Sequence, residues 1–218
     1  MFKAALAALQ SQGAVLVPVK APKLPGLGQA EGLVLNTELK ADLNAYLATT
    51  PPAVASRSLA DLIAFNRAHA DTEMPIFGQE TFEAAQKTKG LADPAYKAAR
   101  ANSRMMAAGA IDGMLKAAGA HVLVTPTYAA AWLSDTVYGD QYNGPSSSTL
   151  PAVSGYPNLT VPMGQVRGLP VGLSFIGTAF SEPTLFRAGY AFEQATHARE
   201  APTYRPTVDA GRELEPAK

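Results

Sequence analysis

The chain has 218 residues with 18 basic and 18 acidic side chains, so its formal charge is zero. Charged residues make up 17% and apolar residues 47%, a balance that excludes a disordered chain and removes the basic excess of a nucleic-acid binder. Cysteine is absent, which excludes disulfides, zinc ribbons and thiol catalysis. The opening MFKAALAALQSQG lacks the basic-then-apolar order of a secretory signal, so a soluble cytoplasmic protein is expected. The length suits a single domain over residues 1–218, with a polar tail over about 201–218 that reads as mobile.

The first twelve residues carry helical spacing, with Phe2, Ala5, Leu6 and Leu9 on one face and Gly13 as a stop. Residues 14–19 (AVLVPV) then read as a short strand, and APKLPGLGQAEG as a loop. In that loop Gly26, Gly28 and Gly32 imitate a dinucleotide fingerprint, but the last spacing is one residue too long and no strand precedes it. A second helix is expected over 36–49, closed by Pro51 and Pro52. Ser58 and Asp61 resemble a capping box opening a helix to about His69. After EMPIFGQE comes a helix over about 80–88. Asp93-Pro94 then starts a long helix with Tyr96, Ser103, Ala107, Ile111 and Met114 down one side.

Residues 121–125 (HVLVT) read as a buried strand, and 133–156 as a long irregular region. Two further strands, LTVPM (159–163) and VGLSFIG (171–177), are separated by a turn at Arg167-Gly168-Leu169-Pro170. Ser181 and Pro183 open a last helix to about His197, with Leu185, Ala188 and Phe192 turned inward. Helices mixed with short apolar strands make an α/β protein.

Charge is unevenly spread. Residues 117–181 hold three charges, Asp135, Asp140 and Arg167, where the chain average of 17% would put about eleven. Pro126, His121 and several hydroxyls argue against a membrane span, so a buried strand followed by an interior loop is the reading. Asp135 and Asp140, beside Trp132, Tyr138 and Tyr142, could line a pocket or order the loop. Glu80, Glu83, Asp93 and Asp112 read as caps and solvated faces. His69, His121 and His197 show no metal-ligand spacing. Gly172-Leu-Ser174-Phe-Ile-Gly177 is one residue too long for a nucleophile elbow, and Ser174 reads as a core or ladder residue. Ser146, Ser147 and Ser148 could supply a nucleophile only if folding brought in a base such as Lys87, Lys89 or Lys116. The competing reading is a turn whose hydroxyls satisfy backbone groups.

From LPAVSGYPNLTVPMGQVRGLPVGLSFIG to the helix ending at Thr196, the sequence resembles the C-terminal part of amidase-signature hydrolases. AHVLVTPTYAAAW, MPIFGQETFEAA and NTELKADLNAYLA extend the resemblance over nearly the whole chain, and GYPNLTVPMG with FGQE is closest to the peptide amidase branch. The resemblance implies the C-terminal portion of that fold, a mixed β-sheet flanked by helices. It implies a parent activity of carboxamide hydrolysis through a serine acyl-enzyme, without metal or cofactor, on a small amide or a peptide C-terminal amide.

In the family the catalytic lysine, cis-bonded bridging serine and nucleophilic serine belong to the N-terminal half, the two serines in a glycine- and serine-rich stretch, and the matching portion begins after that stretch. This chain has no adjacent glycine pair, so no catalytic residue carries over. The expectation is therefore a C-terminal half or fragment, inactive alone, whose partner is a missing N-terminal half or a separate signature-bearing subunit. A non-catalytic interaction protein and a self-sufficient hydrolase on the serine run are the alternatives, and self-association through an exposed sheet edge is anticipated. Phe77 and Gln79 of FGQE, with Tyr128 and Trp132 after the strand, are the expected substrate-pocket residues. No nucleic acid and no membrane are expected as partners.

Overall fold

The computed structural model describes residues 1–132, 135, 137, 139, 142, 144–202 and 204. Helices α1 (Phe2–Ser11), α2 (Leu27–Ala48), α3 (Leu59–Ala68), α4 (Ala70–Glu73), α5 (Glu80–Gln86) and α6 (Pro94–Ala118) come first. Strand β1 (Leu123–Pro126), helix α7 (Thr149–Ser154), strands β2 (Asn158–Val166) and β3 (Leu169–Ile176) and helix α8 (Glu182–Thr196) follow. The chain divides into two compact units, Lys23–Met106 and Met1–Pro22 with Ala107–Lys218. Of the tail expected to be mobile, only Ala201, Pro202 and Tyr204 are among the described residues.

In the helical unit, α2 begins at Leu27, nine residues before the expected start at Asn36. Gly26, at φ +84°, forms the N-cap, and the glycines taken for loop are helical, with nothing within 4 Å of the Cβ position at Gly28 or Gly32. Strong helix formers on either side outweigh the roughly 1 kcal/mol that each glycine costs a helix. Ser58 caps α3 as anticipated, its hydroxyl accepting from Asp61 N at 3.2 Å. The Asp61 carboxylate accepts from Arg57 N at 2.9 Å, and this bond, followed by that to Ser58, holds its pKa below the ordinary value. Leu59, Ile63 and Ala85 form the core of this unit, with Leu39, Leu43 and Phe82 packed against them. Lys40 Nζ donates to Gln86 O at 2.8 Å and Thr88 O at 3.0 Å, satisfying the carbonyls that end α5. Tyr96 donates to Glu38 Oε1 at 2.7 Å, and that bond raises the phenol's pKa.

The second unit is built on a three-stranded sheet in the order β1-β3-β2, with both pairings antiparallel. The sheet is therefore antiparallel rather than mixed, because β2 and β3 are consecutive strands joined by a tight hairpin. Arg167 (φ +51°) and Gly168 (φ +77°) alone form its turn, since Val166 pairs with Leu169 and Pro170 already lies in β3. Left-handed backbone at both central positions matches the right-handed twist of the strands. Pro162 is tolerated because β2 is an edge strand, and a register shift between Pro162 and Gly164 bends it.

Strand β3 is buried on both faces. Leu173 and Phe175 point into a cluster with Ala5, Leu9, Leu185 and Phe192 from α1 and α8. Ile176, on the other face, packs with Ile111 and Leu115 of α6, beside Leu150 and Tyr156. Each such fully buried side chain contributes about 1.5–3 kcal/mol. On α8 the small Gly189 permits close packing, because a Cβ there would sit 2.6 Å from Leu159 Cδ2.

Residues 14–19, expected as a strand, pair with no strand among the described residues. Val15, Val17 and Val19 are 88%, 48% and 45% exposed, and Pro18 has no N–H to offer a ladder.

Candidate functional site

The charge-poor strand β1 leads directly into the site. Thr127 N donates to Gly172 O at 2.8 Å, prolonging the β1–β3 ladder by one residue. Ser147 N donates to Thr127 O at 3.0 Å, and Tyr128 pairs with Ser146 in an isolated antiparallel bridge. The serine run is thereby laid alongside the end of β1, although sequence reasoning saw only an irregular loop.

That alignment assembles a line of hydroxyls. Thr160 Oγ1 and Thr127 Oγ1 lie 2.6 Å apart, Thr127 Oγ1 and Ser174 Oγ 2.9 Å, and Ser174 Oγ and Ser147 Oγ 2.9 Å. Asn158 Nδ2 donates to Ser147 Oγ at 3.4 Å. Ser174 is fully buried and Ser147 nearly so. Their hydroxyls therefore need one another, since an unpartnered buried hydroxyl costs about 1–3 kcal/mol. Gly172 leaves room for the line, as a Cβ there would meet Thr160 Oγ1 at 2.5 Å and Thr127 Oγ1 at 2.8 Å. Ser174 is thus a ladder residue in the core, as its strand pattern suggests. Thr127 and Thr160 escaped sequence reasoning. Their signal is register, for Thr160 stands opposite Ser174 across β2 and β3, and register is not visible before the sheet is paired.

Ser146 and Ser148 are exposed, with their hydroxyls 2.9 Å apart. Among the described residues, the hydrogen-bond partners of the three serine side chains include no lysine or histidine. Lys116, on α6, makes no described hydrogen bond to them, and Lys87 and Lys89 belong to the helical unit. Hydroxyls held this way can donate to a carbonyl or accept from an N–H; activation as a nucleophile would need an adjacent base.

Beside the serines stands an aromatic cluster. Tyr128 stacks on Tyr142 with ring centroids 4.6 Å apart, and Trp132 is tilted against both, at 5.6 Å from Tyr142 and 6.2 Å from Tyr128. Tyr142 donates to Gly144 O at 2.7 Å, and desolvation, with Tyr128 adding to it, raises its pKa. Asp135 orders the same loop: its Oδ1 accepts from Val137 N at 2.8 Å and its backbone carbonyl from Gly139 N at 2.9 Å. Tyr138 and Asp140 lie outside the described residues.

Of the four expected pocket residues, Tyr128 and Trp132 are thus neighbours. Phe77 and Gln79 belong to the helical unit. Phe77 is 60% exposed. Gln79 ties α5 to α3, accepting from Asn66 Nδ2 and donating to Ile63 O, both at 3.2 Å. Among the described residues no group of three histidines, aspartates or glutamates could hold a metal, and no helix is long and apolar enough to cross a membrane. His69 instead bonds Phe65 O through Nδ1 and stacks on the Phe65 ring.

The sequence model of the family described as Amidase matches residues 1–186. Two solved structures are similar to nearly all of this chain. The peptide amidase PAM in complex with the competitive inhibitor chymostatin is 47% identical, with a TM-score of 0.86 over 93% of this chain and 41% of that one. The native peptide amidase of Stenotrophomonas maltophilia is 46% identical, with a TM-score of 0.82 over 92% of this chain and 40% of that one. A probable amidase of Arabidopsis thaliana is 33% identical over 181 residues, 82% of this chain and 32% of the relative. The chain thus spans 32–41% of the length of these relatives.

These matches correct the expectation of a C-terminal half or C-terminal portion of the fold. The family match starts at residue 1, and the structural correspondence takes in 92–93% of the chain. The family's fold is carried by the chain along nearly its whole length. The readings as an inactive fragment, with a missing N-terminal half or a separate signature-bearing subunit, and as an interaction protein, are not retained on these matches, which take in 92–93% of this chain and 40–41% of those structures. That expectation rested on a likeness to the family's C-terminal part together with the absence of its glycine- and serine-rich stretch, whereas the family match runs over residues 1–186. On the length of the match, and not on any one motif, the chain belongs to the amidase family.

Proposed function

We propose that this chain serves the hydrolysis of a carboxamide, with peptide C-terminal amides as the substrate class. In that reaction water oxygen is added to the acyl carbon, the C–N bond breaks, and the amide nitrogen leaves with the protons that make it ammonia. The observation that carries the reading is the 46–47% identity to peptide amidase structures, sustained over 92–93% of the chain. The geometry at the end of β1 is compatible with it. A carboxamide presents one acceptor and two donors, and the exposed hydroxyls of Ser146 and Ser148 can meet either kind. We assign these serines to binding and orientation. The buried line of Ser147, Ser174 and Thr127 holds them against the sheet.

The rings of Tyr128 and Trp132 supply flat apolar wall, to which Tyr142 adds. Ligand pockets combine such surfaces with a few placed polar groups. In the helical unit the Phe77 ring is exposed, and Gln79 holds the start of α5 beside it. The test is ammonia release from C-terminally amidated dipeptides incubated with the purified protein. Release above a protein-free control, slowed by chymostatin, is the expected result. A panel of amidated peptides that yields no ammonia would overturn the assignment.

A further inference from the structure

The hydroxyl line has a direction, and it ends on an exposed strand face. Along β2, Leu159 and Val161 pack against the cluster of α1 and α8, so Asn158 and Thr160 face the other side of the sheet, where both are exposed. Asn158 Nδ2 can only donate, and it donates to Ser147 Oγ at 3.4 Å. Among the described residues the one acceptor for the Ser147 proton is then Ser174 Oγ, at 2.9 Å. That bond passes the Ser174 proton to Thr127 Oγ1 and the Thr127 proton to Thr160 Oγ1, over 2.9 and 2.6 Å. The opposite order would leave the proton of the buried Ser147 without a partner, which is the more costly arrangement. Hydroxyls aligned in one sense also polarise one another.

The two ends of the line therefore differ. Thr160 accepts from Thr127 and keeps its own proton for the open face, while Asn158 Oδ1 makes no described hydrogen bond and stays an acceptor. Two residues along a strand separate their Cα atoms by about 6.6 Å. An amide group with a hydrogen bond of about 2.9 Å at each end fits that span. A primary carboxamide carries its C=O and one N–H on the same edge, whereas a trans peptide bond holds them on opposite edges. We infer that Thr160 and Asn158 are the specificity-determining pair for a primary carboxamide, Thr160 Oγ1 donating to its carbonyl and Asn158 Oδ1 accepting the N–H beside it. The line joins this pair to Ser147, between the two serines assigned to orientation. The inference rests on the amide-hydrolysis reading for its ligand, and on the direction of the line for its selectivity. Primary amides are thereby bound in preference to N-substituted amides, whose substituent occupies the edge turned to Asn158.

The experiment titrates the purified protein, by ligand-observed NMR, with Nα-acetyl-leucine amide and with Nα-acetyl-leucine N-methylamide. The same spectra record conversion of the primary amide to acid and ammonia. About five- to tenfold tighter binding of the primary amide is expected; no detectable binding of it, or equal or tighter binding of the N-methylamide, would overturn the pair. Thr160→Val removes the donor and Thr160→Ser keeps it, so the preference should be lost in the first and retained in the second. Asn158→Asp keeps the shape of the side chain but, once ionised, only accepts. It takes the Ser147 proton, the line reverses, and Thr160 gives its proton to Thr127, so the preference should be lost there as well. A preference that survives in folded Thr160→Val or Asn158→Asp counts against the assignment. Should one of them fail to fold, judged by circular dichroism, the other decides. Conversion without a preference sinks the pair and leaves the reaction standing, whereas a preference without conversion sinks the reaction and leaves the pair.

Discussion

Two stretches of the second unit look alike in sequence and differ in structure. Residues 14–19, AVLVPV, and the C-terminal half of β3, GLSFI, are both short, apolar and uncharged. In β3 Leu173, Ser174, Phe175 and Ile176 are all at most 5% exposed. The other stretch leaves Val15 at 88%. Hydrophobicity does not separate them. Strand β3 has a partner on each side, so every backbone group from Leu173 to Ile176 faces a ladder and both side-chain faces meet helices. Residues 14–17 run beside an apolar cavity of about 430 Å³ shared with Val122 and Val124 of the segment around β1, and no ladder crosses it. A strand is a property of a pairing rather than of a segment.

Substitutions in the two stretches sharpen the contrast. The largest effect is expected for Phe175→Ala, which opens a cavity beside Phe192, whose ring is edge-on at 6.2 Å. A loss of about 3–5 kcal/mol in urea unfolding is the expectation, and a loss near 1 kcal/mol would mean that β3 is not the centre of the core. Next comes Ser174→Ala. It removes the two hydrogen bonds that join Ser174 to Thr127 and Ser147, and about 1–3 kcal/mol should be lost. An unchanged unfolding midpoint would show that the hydroxyl line is not a connected network. The smallest effect belongs to Val15→Thr, where burial is slight, and stability should stay within about 0.5 kcal/mol. A loss comparable to that of Phe175→Ala would break the comparison, because Val15 would then be held in the core that Leu16 beside it already packs against.

Helices whose ends are written in local chemistry were legible. Ser58, Asp93-Pro94 and Ser181 mark starts within a residue of those observed, because a cap or a first-turn proline acts on the backbone beside it. The hairpin turn at Arg167-Gly168 was legible to within two residues. The early start of α2 was not, since glycines that look like loop were outvoted by neighbours on both sides. The hydroxyl line was illegible for a different reason: Thr127, Ser147, Thr160 and Ser174 are distant in sequence and meet only through the register of three strands.

The sequence by itself determined the α/β character, the helix boundaries that carry caps, and the charge-poor stretch from which the site is built. It also carried the resemblance to amidases, because a family likeness is a property of ordered residues. Only the tertiary structure decided that residues 14–19 stay outside the sheet, that the sheet is antiparallel, and that Ser147 rather than Ser146 or Ser148 is buried in the hydroxyl line. Caps and turns are set by interactions within a few residues of one another. Ladder partners, burial and register depend on which distant segments come to lie side by side, and no local pattern encodes that choice.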